Sequence, residues 1–202
     1  MDINCIILAG GKSTRFGHDK VLEKIGNTSL LEQVISHVDP ISKDIIIVTA
    51  KGRTFAHLAN RPKIKVVSDI FPEQGSLGGI YTGLVNSESF YNLVVAADMP
   101  LLNEELLRYM IKVAKGYDFT LPRFDDWFEP LHAVYSRNCI APIKSILEQG
   151  KKSILELFNY VKMNYVDAKE IDKFDPQHLS FMNINTPQDK ERVLQIIGGT
   201  GQ

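Results

Sequence analysis

Cysteine is scarce in this chain. Cys5 and Cys139 are its two cysteines, too few for a disulfide framework or a zinc cluster. Cys5 sits within an apolar run and is expected to be a buried small hydrophobe. Charge of one sign is missing as well: 23 Lys and Arg stand against 24 Asp and Glu, a formal net charge of -1. That balance removes the basic footprint of a nucleic-acid or anionic-membrane binder, so neither partner is expected. Any anionic ligand must be held by local groups. No apolar run approaches the length of a membrane span, and the N-terminus carries neither a basic segment nor a run long enough for a signal peptide. A cytoplasmic location is the expectation. What is present is ordinary for a globular protein, with 44% hydrophobic and 23% charged residues, and 202 residues can bury one sizeable core.

The patterning alternates short β-rich runs with longer amphipathic stretches. Residues 3–8, 44–49, 63–68 and 92–97 read as strands, several apolar throughout, as in a parallel sheet covered on both faces. Helical spacing appears over 28–38, 77–86 and 103–115. This order predicts an α/β fold with a mostly parallel sheet. After residue 116 the texture changes. Strand-like stretches at 117–124, 131–136 and 163–168 alternate less regularly with helical patterns at 138–148 and 152–159. This half is expected to add mixed or antiparallel strands. One domain is expected over 1–197, with halves at about 1–115 and 116–197 and a frayed tail at 198–202. Thr186-Pro187 with Asp189 reads as the start of a helix over about 187–197.

The stretch LAGGKSTRFGHDK, residues 8–20, follows the first strand. A Walker loop would need a glycine at position 6, where Ile6 stands inside the strand, and the dinucleotide fingerprint spacing is also absent. What remains suits phosphate by other means. The Gly10-Gly11 pair lets backbone amides approach a ligand at a strand's carboxyl end, and Lys12, Arg15 and Lys20 follow. A solvated loop with surface charges is the duller alternative. Asp98 ends the run NLVVAAD, where a carboxylate can meet Mg²⁺ together with phosphate oxygens, or can act only as a turn residue before Pro100.

Residues 8–20 are similar to the signature L-A-G-G-x-S-x-R-[MF]-G-x-D-K of the molybdenum cofactor guanylyltransferases. The likeness continues through GSLGGIYTGL (75–84), AADMPLL (96–102), EPLHAVYSR (129–137), QGKKSILELF (149–158) and FMNINTPQD (181–189). These six segments span nearly the whole chain. One departure is Ser76, where the family usually carries proline. The resemblance implies a three-layer α/β/α fold of the nucleotide-diphospho-sugar transferase kind. It also implies transfer of GMP from MgGTP to the terminal phosphate of molybdenum-bound molybdopterin, with pyrophosphate released. Molybdoenzyme apoproteins or other cofactor-biosynthesis proteins are the partners it suggests.

The resemblance also implies roles for residues. Asp98 would hold Mg²⁺ and contact the nucleotide, while Lys20 and Arg15 compensate phosphate charge. Leu8, Ala9, Gly10 and Gly11 would touch GTP mainly through backbone groups. Thr49 and Asp69 would line the base and ribose side, although the family often has asparagine at Thr49 and Asp69 could simply cap its strand. Gly79 belongs either to the nucleotide loop or to close packing. Lys152, Asn183 and Asn185 would face the acceptor, with a solvated helix start and turn formation as their plainer readings. Lys12 occupies a variable position and is left out. Trp127, Phe128 and His132 are read as core rather than as a pterin-stacking surface. Three rivals remain: a cytidylyltransferase for the same cofactor, a sugar- or polyol-phosphate nucleotidyltransferase, and a binding module without turnover.

Overall fold

The structure, a computed structural model, describes residues 2–10, 20–58, 60–125 and 127–199. Its centre is an eight-stranded sheet. β1 (Ile3–Leu8) pairs in parallel with β4 (Ile45–Thr49) on one side and β6 (Tyr91–Ala96) on the other. β5 (Ile64–Ser68) extends the sheet beyond β4. On the far side of β6 lie β9 (His132–Ser136), then β7 (Phe119–Phe124), then β10 (Met163–Asp167). β9 runs antiparallel to both of its neighbours, so β7 and β10 point the same way as β6. The short β8 (Trp127–Phe128) folds back on the end of β7.

Alternation along the strands builds two cores. Ile3, Cys5 and Ile7 of β1, with Ile45, Ile47, Leu93 and Val95, face α1 (Leu30–Val38) and α3 (Glu104–Val113). Ile6, Ile46, Val48 and Val94 face α2 (Gly75–Asn86) and α4 (Ile140–Glu148). Strands with both faces covered are mostly apolar, and the buried Asn4 of β1 and Asn92 of β6 are both hydrogen-bonded to Ser87. Burial pushes the Cys5 thiol far above its ordinary range, consistent with an inert packing residue. Gly83 lets α2 lie close on β1: a Cβ there would collide with three side-chain atoms of Ile6. Ser29 caps α1 in a reciprocal box with Glu32.

Several elements depart from the expectations. The stretch 152–159 forms a 3-10 turn, Ile154–Asn159, rather than an α-helix. The hairpin of β2 (Lys24–Ile25) and β3 (Thr28–Ser29), turning at Gly26 with φ 63°, has strands too short to show periodicity. The last helix, α6 (Pro187–Gly199), begins where the capping pattern places it but continues through Gly198 and Gly199. It packs Val193 against Ile25, Leu30 and Ile184. Those two glycines were expected to belong to a frayed tail; they weaken a helix without sterically ending it. α5 (Ala168–Ile171) is a single turn.

Candidate active site

The strand order reverses at β1. The chain moves outward to β4 and β5, then returns to place β6 on the opposite side. Open α/β sheets bind ligands at the carboxyl edge of such a switch point. Here that edge carries Leu8 at the end of β1, Gly10 two residues on, and Asp98 two residues beyond β6. The two strand ends are tied by the Ala97 N–H donating to the Leu8 carbonyl at 3.1 Å.

Three distant parts of the chain meet at Asp98. The Lys20 ammonium donates to Asp98 Oδ2 at 2.8 Å and to Asn185 Oδ1 at 2.8 Å. The Ile184 N–H donates to the Asp98 carbonyl at 3.0 Å, which fixes the C-terminal segment against the β6 end. Asp189 in turn accepts the Asn185 and Thr186 N–H groups at 2.9 and 2.8 Å, and those bonds hold its carboxyl below the ordinary range. Thr186 completes the cap by accepting the Asp189 N–H. The helix start thus also positions the asparagine that reaches Lys20.

Beside this cluster lies a cleft of about 660 Å³, within the usual size range for small-ligand sites. Leu8, Gly10, Thr49, Asp69, Gly79 and Lys152 are among its lining residues. Thr49 is buried, and its hydroxyl has no hydrogen-bond partner among the described residues, an arrangement that costs stability unless a ligand completes it. Asp69 uses Oδ1 to accept the Phe71 N–H and the Thr82 hydroxyl, both at 2.9 Å, so it caps its strand and also faces the cleft. Gly79 combines a cleft position with close packing. It lines the cleft, and an added Cβ would approach Leu8 Cδ2 at 3.2 Å. The first turn of α2 enters the cleft at Gly75 and Ser76 without a side-chain cap, so its amides suit an anionic or carbonyl oxygen.

Ala9, Lys152 and Asn183 are each hydrogen-bonded within the protein. Ala9 is buried; its N–H bonds the Val48 carbonyl, and its own carbonyl accepts from Arg53 Nη1 at 2.5 Å. Its backbone is therefore already engaged by the protein. Lys152 lines the cleft beside Thr49, and its ammonium donates to the Glu73 carbonyl at 2.8 Å. Asn183 donates to the Phe181 carbonyl at 3.4 Å. Gly11 and Arg15 lie outside the described residues.

Three residues escaped the sequence reading. Arg53 braces the end of β1 through Ala9, and no local pattern marks it. Glu129, in the EPLH segment, is buried; burial pushes its carboxyl up to about 7, against the lowering effect of the Leu131 N–H, and the Asp98 charge raises it further. Trp127, read as core, is 47% exposed. Pairing on the outer end of β7 leaves only one of its sides covered. His132 is core as expected: it is fully buried, with both ring nitrogens unpartnered among the described residues, and burial lowers its pKa to about 4.

A family profile described as a MobA-like NTP transferase domain matches residues 5–165. The chain belongs to that family. It is a nucleotidyltransferase with the expected three-layer α/β/α fold. A molybdenum cofactor guanylyltransferase of Syntrophotalea carbinolica is 34% identical over 94% of this chain and 89% of its own length. A probable molybdenum cofactor guanylyltransferase of Pelotomaculum thermopropionicum is 33% identical over 98% of this chain and 95% of its own. The crystal structure of molybdopterin-guanine dinucleotide biosynthesis protein A from Archaeoglobus fulgidus superposes with a TM-score of 0.83 at 27% identity. That match covers 97% of this chain and 99% of the other. Five of the six segments of resemblance lie within the matched residues, and the sixth, 181–189, follows them. No helix among the described residues is long and apolar enough to cross a membrane.

Proposed function

We propose that this enzyme transfers GMP from GTP to the terminal phosphate of molybdenum-bound molybdopterin and releases pyrophosphate. The observation that carries the reading is Lys20 joined to both Asp98 and Asn185 at the switch point, beside the cleft lined by Thr49, Asp69 and Gly79. In the reaction an oxygen of the acceptor phosphate bonds to the α-phosphorus of GTP. The bond from that phosphorus to the bridging oxygen breaks, and pyrophosphate leaves with the electron pair. The attacking phosphate is already an anion, so no Ser, Cys or His nucleophile is required.

The chain's own contribution is alignment and charge compensation. The cleft holds the base and ribose against Thr49, Asp69 and the first turn of α2. Gly10 is assigned to the path of the phosphates, and among the described residues nothing lies within 4 Å of a Cβ built there. Lys20 neutralises charge on the transferring phosphate, and Asn185 holds its ammonium in place. Arg15 is assigned to the same phosphates, and Asn183 and Lys152 to orienting the substrates.

Asp98 is the proposed holder of Mg²⁺, which when bound would offset phosphate charge. The donor set fits that ion: one carboxylate at a phosphate position, with no cluster of three His, Cys, Asp or Glu among the described residues. Mg²⁺ completes its shell with phosphate and water, whereas a structural zinc site would need a protein cage. The cytoplasm is the proposed compartment, and molybdoenzyme apoproteins or other cofactor-biosynthesis proteins the proposed recipients.

The test is pyrophosphate release with molybdopterin as acceptor, measured with GTP, CTP, ATP and UTP in turn. Release with GTP at least tenfold above the others is expected. Equal release with CTP would overturn the guanylyl assignment, and nucleotide binding without release from any of the four would make the protein a binding module.

A further inference from the structure

Trp127 is the chain's single tryptophan, and nearly half of its surface faces solvent. It is nevertheless firmly braced. The Phe124 ring lies behind it at 4.9 Å between centroids with a 31° tilt, and the Phe181 ring meets it edge-on at 6.2 Å. Phe181 also packs on Phe124 at 5.1 Å and on His132 at 4.8 Å. An indole fixed from behind, with its outer side open, loses little conformational freedom when a flat ligand stacks on it.

Its place in the sheet says which ligand. Phe124 ends β7, which runs parallel to β6 with β9 alone between them, so Trp127 and Asp98 share one edge of the sheet. The nucleotide cleft lies on the opposite side of Asp98, over β1, β4 and β5. One five-residue segment links the two places: Phe181 buttresses the indole, Ile184 binds the Asp98 carbonyl and Asn185 binds Lys20. Two strand spacings separate β6 from β7, about 10 Å. That is about the reach from a terminal phosphate, through a one-carbon arm, to a fused pterin ring.

We infer that Trp127 is the platform on which the acceptor's pterin stacks, and so a specificity-determining residue. This rests on the transfer reaction proposed above. The acceptor phosphate meets Lys20 and Asp98 from the side away from the nucleotide, and the ring system extends over the ends of β9 and β7. An offset stack on the indole face suits the flat pyrimidine portion of a pterin.

Because tryptophan occurs once, its emission reports on this site alone when excited at the red edge of its absorption. Titration with molybdopterin should quench most of the emission, whereas MgGTP alone should leave it unchanged. Trp127→Ala should raise KM for molybdopterin roughly tenfold, the scale of one lost base-on-aromatic stack, with KM for GTP unchanged. Trp127→Phe should recover part of the loss. The exposed position predicts an unaltered circular dichroism spectrum for both variants, which separates binding from folding. Emission unmoved by molybdopterin would overturn the platform, as would an acceptor KM within twofold of wild type in Trp127→Ala. Quenching by molybdopterin in a protein that releases no pyrophosphate from any nucleotide would uphold the pterin site and overturn the transfer reaction instead.

Discussion

Lys20 and Asn185, 165 positions apart in sequence, meet at 2.8 Å, and the same ammonium lies 2.8 Å from Asp98. A cation held by two oxygen acceptors from separate segments has its position fixed before any substrate arrives, which is how electrostatic stabilisation avoids reorganisation during reaction. Lys20→Met and Asp98→Asn are each expected to lower kcat/KM for pyrophosphate release by roughly 10²- to 10³-fold. Asn185→Ala should have a smaller effect, since Lys20 keeps Asp98. Steady-state kinetics with circular dichroism checks this; unchanged turnover in Asp98→Asn would remove it from the reaction.

Thr49 gives a prediction with opposite signs for stability and binding. Its buried hydroxyl lacks a partner among the described residues, so Thr49→Val should leave the melting temperature of the free protein unchanged or raised. The stabilisation that GTP confers should shrink. Thermal denaturation with and without nucleotide measures both. An undiminished shift would place the nucleotide away from this hydroxyl.

Two glycines should behave differently. Gly83→Ala forces a Cβ into the fully buried Ile6 side chain and is expected to cost about 1–3 kcal/mol by overpacking, partly recovered in the double variant with Ile6→Val. Gly10→Ala meets nothing within 4 Å among the described residues and should leave stability near wild type while weakening GTP binding. Chemical denaturation of the three variants tests the contrast.

His132 and Glu129 set opposed pH dependences. Unfolded His132 takes up a proton near 6.5, but in the folded protein it does so only at about 4, so its contribution to stability falls as pH drops across that window. Glu129 ionises near 4.5 when unfolded and at about 7 when folded, so its contribution falls as pH rises from 4.5 to 7. Each gap corresponds to about 3 kcal/mol. The two nearly cancel between pH 4.5 and 6.5. Relative to wild type, His132→Phe should lose stability as pH rises through this range, and Glu129→Gln should gain it. Denaturation midpoints at pH 4.5, 5.5 and 6.5 would show the two slopes; parallel profiles would contradict the burial argument.

The central strands were legible because burial on both faces leaves apolar runs with turn residues between them. The helix start at Thr186 was legible because capping is local chemistry. The position of Asp98 just beyond a strand end was legible from the apolar run before it. What escaped depends on contacts between distant segments. Arg53 reaches Ala9 across 44 positions, and nothing near it in sequence marks that bond. The exposure of Trp127 follows from a two-residue strand pairing on the end of β7, which hydrophobicity alone assigns to the core. The Lys20–Asn185 contact required the folded chain.

A crystal structure with a non-hydrolysable GTP analogue and Mn²⁺ in place of magnesium tests the central claim most directly. The account predicts the base and ribose against Thr49, Asp69 and Gly79, with the α-phosphate beside Lys20 and an anomalous peak for the metal at Asp98. A nucleotide bound elsewhere, or a metal peak remote from Asp98, would contradict it.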